Sequence, residues 1–145
     1  MRAVVHLAAR GESGSQTVGQ IAEGTRVPEG YLSKVLQQLA RGGVITSQRG
    51  LGGGFRLVKA PGELSLYEVI QTVDPIQRIH ECPLGLEAHG TNLCPLHKRL
   101  DEAMSLIERQ FRDTTIAELL TDPSASRRDL CSFPLRPASP GASGQ

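Results

Sequence analysis

Residues 17–58, TVGQIAEGTRVPEGYLSKVLQQLARGGVITSQRGLGGGFRLV, decide the fold. Thr17-Val18-Gly19-Gln20 fits a capping box, in which two side chains reciprocally satisfy the backbone donors that a helix start leaves free. It predicts a short helix ending near Gly24. Pro28 suits the first turn of the next helix, whose Leu32, Val35, Leu36 and Leu39 fall at i, i+3, i+4 and i+7 until Gly42-Gly43 stops it. Residues 44–49 and 55–58 then read as strands around Gly50-Leu51-Gly52-Gly53-Gly54, which makes a hairpin. A phosphate-cradling loop would need a helix directly after the glycines and a Lys-Ser/Thr pair, and neither is there. Two helices, a tight link and a hairpin define a winged helix-turn-helix: mainly α, with a small β-hairpin wing.

The flanks add helices. Residues 1–10 are mostly Ala, Val and Leu and read as a short buried helix with nothing ahead of it to serve as N-cap. We therefore expect a start clipped by about ten residues. Ser65-Leu66-Tyr67-Glu68 is a second capping box, followed by the stripe Leu66, Val69, Ile70, Val73 and closed by Pro75. Residues 78–95 show no periodicity and read as a loop. Pro95 opens the longest helix, with Leu96, Leu100, Ala103, Met104, Ile107 and Phe111 at spacings of three and four. Lys98, Arg99, Asp101, Glu102, Glu108 and Arg109 make the opposite face charged. So long a stripe on so small a protein predicts a dimerisation helix that pairs with its twin in a homodimer, the alternative being core packing within one chain. Thr115-Ile116-Ala117-Glu118 starts a last short helix. The expected organisation is a DNA-reading domain over 1–60, a metal loop with dimerisation helices over 61–121, and a disordered tail over 122–145.

Charge follows that division. The whole chain of 145 residues carries a formal +1, which names no partner. Residues 25–59, however, hold Arg26, Lys34, Arg41, Arg49, Arg56 and Lys59 against Glu29 alone, a net of +5, while residues 60–122 are net −6. A basic module of this kind suits a phosphate backbone, which would repel the acidic one. No apolar run approaches the roughly 18 residues of a membrane span, and no secretory leader is evident. Three cysteines are too few for a disulfide framework and imply a reducing compartment. The expectation is a soluble, cytoplasmic chain.

A recognition helix shows its N-terminal polar residues to base edges in the major groove of double-stranded DNA. Here the solvent face offers Glu29, Tyr31, Ser33, Lys34 and Gln37. Gln reads adenine, Glu accepts from cytosine, and Ser and Lys reach phosphate or base. The wing tip carries Arg49 beside Gly50, Gly52 and Gly53, where the backbone can approach the duplex and an arginine suits a narrow minor groove.

Cys82, His89, Cys94 and His97 lie within sixteen residues, a potential metal set. Cys94 immediately precedes Pro95, at the N-cap of the long helix, where free N–H groups and the positive dipole end favour the thiolate that binds metal. His97 follows three residues on, on nearly the same side. Two Cys and two His suit a tetrahedral zinc site, which spacing alone favours slightly over an iron–sulfur cluster. His80, Glu81 and Glu87 are further possible ligands. A thiol enzyme using Cys94 and His97 is a rival, but it lacks an orienting third group and leaves the basic head without a role. An adaptor that binds protein through the long helix is another.

The run from Val27 to Phe55, with Tyr31-Leu32, Leu36, Leu39, Gly43-Val44 and Arg49-Gly50-Leu51-Gly52-Gly53-Gly54-Phe55, resembles the IscR/NsrR-type bacterial winged-helix regulators. So do SLYEVIQTVD at 65–74, the Cys loop, the long helix and TTIAELL at 114–120. The resemblance covers 1–121. It implies not an enzyme but a homodimer on palindromic promoter DNA, repressor-like, controlled in many members by an iron–sulfur cluster sensing redox state, nitric oxide or iron–sulfur status. Cys82 and Cys94 match the first and third cysteines of that family, Ala88 stands at the second, and His97 matches the spacing of an IscR-type histidine. These imply a 2Fe–2S cluster in preference to 4Fe–4S, on Cys82, Cys94 and His97, with His89 or a partner-subunit residue fourth; zinc or no metal is the alternative.

Overall fold

The computed structural model describes residues 1–11, 14–50, 52–83 and 93–121. Helix α1 (Arg2–Arg10) buries six consecutive residues, Ala3 to Ala8, so it is enclosed on nearly every side. Helix α2 (Val18–Thr25) opens on the expected box, with the Gln20 N–H donating to Thr17 Oγ1 and the Thr17 N–H to Gln20 Oε1. The helix ends at Thr25, one residue past Gly24. A Cβ at Gly24 would fall inside the buried His6 ring, so the glycine is there for close α1–α2 packing and not as a stop. Arg26, at φ 54, supplies the left-handed residue that ends the helix.

Helix α3 (Glu29–Arg41) takes Pro28 as its N-cap rather than as a first-turn residue, and buries Leu32, Leu36 and Leu39 as their spacing requires. Strands β1 (Ile45–Gln48) and β2 (Gly54–Leu57) form the antiparallel hairpin, in register from Ile45↔Leu57 to Gln48↔Gly54. The strands thus take in Gly54 and leave out Arg49 and Val58. Gln16 pairs with Phe55 on the outer edge of β2, and a side chain at Gly54 would strike the Gln16 backbone; the wing base is tied to the segment before α2.

Helix α4 (Leu66–Val73) and helix α6 (Ile116–Thr121) start side by side. Their cap residues, Ser65 and Thr115, form a bridge, and each carries a complete box with Glu68 and Glu118. Ile116 N–H donates to the Leu64 carbonyl and Leu66 N–H to that of Thr114, so α6 returns to pack on α1. Val4, Ile21, Leu36, Leu39, Ile45, Leu64, Val69 and Ile116 are all but inaccessible and belong to one core. Each such side chain contributes about 1.5–3 kcal/mol relative to exposure.

Helix α5 (Pro95–Asp113) is different: none of its 19 residues is buried. Leu96, Leu100, Leu106 and Ile107 stand exposed. On the charged face Lys98, Arg99, Glu102 and Arg109 are exposed, but two acids are not. Asp101 and Glu108 lie toward the rest of the chain, their side chains only 18% and 17% accessible. Among the described residues no helix is long and apolar enough to cross a membrane.

Candidate metal centre and nucleic-acid interface

Cys94 caps α5 in extended conformation, with Pro95 as first helical residue, and Lys98 N–H donates to its carbonyl. His97 therefore projects from the first turn back toward the cap. Cys94 Sγ lies 3.2 Å and Cys82 Sγ 3.6 Å from His97 Nδ1. All three ligand atoms fall within 4.8 Å of one another, and all three residues are half-buried. Ligand bonds of about 2.3 Å to sulfur and 2.0–2.1 Å to nitrogen give a tetrahedral edge of roughly 3.5 Å, so these donors fit one metal corner with a fourth position left over. The expected triad is thus brought together. His89 and Glu87 lie outside the described residues; His80 and Glu81 are exposed.

The segment leading to Cys82 meets α5 through a contact the sequence does not reveal. Arg78 grips Asp101 with two parallel bonds, Nε to Oδ1 and Nη2 to Oδ2, both 2.6 Å, and the Ile79 N–H adds a third to Oδ1 at 2.9 Å. Arg78 Nη1 also reaches Glu108 Oε2 at 3.4 Å. The hydrogen bonds from Arg78 come first among the causes that hold the Asp101 carboxyl down at about 2; its carboxylate in turn raises the guanidinium above its ordinary value. Glu108 is lowered by bonds from Arg112, Tyr67 and Arg78, and the Arg112 guanidinium lies 3.5 Å over the Tyr67 ring centre. The charged face of α5 is in this way keyed to α4 and to the arm at 76–83. Sequence spacing does not reveal this partner of Asp101, which is 23 residues away and is joined to it only by the fold.

Helix α3 and the wing carry the basic residues of the head. Glu29, Lys34 and Gln37 are exposed, and Tyr31 is 65% accessible, so it does not pack inward. Ser33 is half-buried, the least available of the five. Glu29 leans over α2, with its Oε1 only 3.2 Å from where a Cβ on Gly19 would lie. Arg49 is exposed at the tip, followed by Gly50 at φ 103 and Gly52 at φ 78, left-handed values that glycine adopts without strain. Gly53 has a further, structural reason: a Cβ there would strike the Gln48 and Gly50 carbonyls inside the turn.

A winged helix-turn-helix with a basic head and a Cys/Cys/His site defines a class of transcription regulator, and comparison with known proteins agrees. Residues 1–122 match the family described as Rrf2, iron-dependent transcriptional regulator. The chain belongs to that family. It is 31% identical over 132 residues to the helix-turn-helix-type transcriptional regulator NsrR of Geobacillus kaustophilus, covering 88% of each chain. Among solved structures, IscR of T. potens superposes with a TM-score of 0.68 at 21% identity, over 83% of this chain and 80% of that one. CymR (YrzC), the global cysteine regulator of B. subtilis, does so at 0.65 and 20%, over 80% and 85%. The protein is an NsrR/IscR-like transcription regulator and its relatives are not enzymes, which retires the thiol-enzyme rival.

Proposed function

We propose that the chain is a homodimeric regulator that reads promoter DNA with α3 and the wing, and whose affinity is set by a 2Fe–2S cluster on Cys82, Cys94 and His97. The observation that carries the reading is the convergence of those three donors at the start of a helix whose apolar stripe lies open. Residues 1–60 act as the head and 61–121 as the sensing and pairing half. Glu29, Tyr31, Ser33, Lys34 and Gln37 face base edges or phosphates; Arg49, with Gly50, Gly52 and Gly53, enters the minor groove. Leu96, Leu100 and Ile107 cover those of a second copy.

A cluster bound at this place would supply a centre that reacts with oxidants and nitric oxide. Cys94 and His97 hold their positions by the first turn of α5; Cys82 comes from the arm at 76–83, so ligation ties that arm to the pairing helix. Two half-sites one helical turn apart, about 34–36 Å, demand a fixed separation of the two heads, so a shift of the arm alters how well both engage. The fourth ligand is His89 or a residue of the second copy.

Anaerobic purification with iron, sulfide and zinc measured against protein tests the reading. We expect a coloured protein with iron and sulfide, bleached by Cys82→Ala or Cys94→Ala, whose affinity for its operator changes when the cluster is removed. A colourless protein with one zinc per chain and unchanged DNA affinity after zinc removal contradicts it. That outcome is the second reading, favoured by the 3.2 and 3.6 Å separations, which are the edges of a single tetrahedral shell. DNA affinity should fall with salt at about −0.9 in log–log slope per phosphate neutralised, and Lys34→Ala should lower that slope by about one contact.

A further inference from the structure

Cys94 and His97 sit on one helical turn, but Cys82 is twelve positions from the nearest of them and comes from irregular backbone. Something must hold that backbone against α5. Among the described residues, every hydrogen bond between residues 77–81 and α5 ends on Asp101 or Glu108. Asp101 lies one turn beyond His97 on α5, and Arg78 lies four residues before Cys82. The paired fork therefore closes a ring: from Cys82 back along the arm to Arg78, across to Asp101, and up α5 to His97 and Cys94.

The fork has the features of a placed contact and not of a surface pair. Its two bonds are short and parallel, a geometry that a guanidinium presents to a carboxylate and an ammonium does not. Asp101 Oδ1 also accepts from the Ile79 N–H, which ties down the backbone leading to Cys82. The side chains are 30% and 18% accessible, whereas those of the Arg99–Glu102 pair, within α5, are 83% and 47% accessible.

We propose that Arg78 is the positioning residue of the metal triad: with Asp101 it pre-orders the arm so that Cys82 Sγ stands ready beside His97 before any metal arrives. The inference rests on the metal-centre reading. Without the fork, the arm has to be ordered at the moment of binding, which weakens the site without removing a ligand. Outer partners of this kind are typically worth 10–100-fold in metal affinity.

The test uses the full chain, reduced and anaerobic, titrated with Co²⁺ and followed by its thiolate-to-cobalt and d–d absorption. Wild type should bind one ion per chain, dependent on Cys82, Cys94 and His97. Arg78→Gln and Asp101→Asn should each weaken binding by about 10–100-fold, leave the saturated spectrum unchanged, and release cobalt faster. The double variant should be little worse than either single one, because both remove the same fork. Arg78→Lys should fall between, and Arg99→Gln should match wild type. If Arg78→Gln does not fold, Arg78→Lys and Asp101→Asn carry the comparison. Equal affinity in wild type and the fork variants overturns the positioning role while the metal site stands. Wild type that binds no cobalt through these three residues overturns the metal-centre reading, and the positioning role falls with it.

Discussion

Helices α3 and α5 are both amphipathic, and they solve opposite problems. In α3 the leucines at 32, 36 and 39 are buried in the chain's own core and the polar residues face outward. In α5 the acids at 101 and 108 turn inward to Arg78 and Tyr67, while Leu96, Leu100 and Ile107 are left at the surface. The apolar stripe on α3 is covered by the chain's own core; that on α5 is only half-buried at Met104 and Phe111 and open at Leu96, Leu100 and Ile107. An exposed row of this length beside an ion-paired inner face is what a self-associating helix needs. The ion pairs fix which way the helix faces, and the leucines are what it offers.

The contrast can be broken by mutation. Leu100→Lys with Ile107→Lys should leave the fold intact by circular dichroism but convert a two-chain species into one by sedimentation; an unchanged mass would show that this stripe does not cover the interface. Leu36→Ala, the same kind of residue on α3, should instead cost about 2–5 kcal/mol of folding stability, read from the denaturant midpoint. Gly24→Ala should cost about 1–3 kcal/mol, because its methyl group must displace the His6 ring. Ser65→Ala, which opens one of the two side-by-side boxes, should cost about 1 kcal/mol.

The smallest effect is that of pH, and it separates the two halves. Burial, and then the nearby Arg10, lower the His6 pKa below its ordinary 6.5, and its Nε2 is buried without a partner. Below that ordinary value the unfolded chain takes up protons that the folded head resists, so stability should fall as pH drops through the 6.5–5 range. His6→Leu should flatten that part of the profile. Asp101 behaves otherwise: its lowered pKa adds stability that is present above its ordinary value of 3.8 and is lost only as pH falls toward about 2. Between pH 7.5 and 5 the pH dependence of thermal unfolding should thus change in His6→Leu and not in Asp101→Asn, which should lower the whole curve evenly.

Much of the fold is legible because its signals are local. Capping boxes at Thr17, Ser65 and Thr115, the 32-36-39 stripe and the glycine hairpin each place an element within a residue or two. The triad is legible for a similar reason, since Cys94 and His97 are fixed by one helical turn. Gly24 marks the end of α2 to within one residue, but its packing against His6 is not legible, because a glycine at a packing point and one at a helix end look alike in sequence. The inward turn of Asp101 and Glu108 is not legible, because their partner Arg78 lies in aperiodic sequence. Tertiary ion pairs leave no period to read.

The most direct test of the whole account is selection of bound duplexes from a random library by the anaerobically prepared full chain, followed by the stoichiometry of the selected complex. The account predicts a two-fold symmetric site with half-sites about one helical turn apart, occupied by two chains, and lost on combining Arg49→Ala with Lys34→Ala. Enrichment of no sequence, or an asymmetric site held by a single chain, would contradict it.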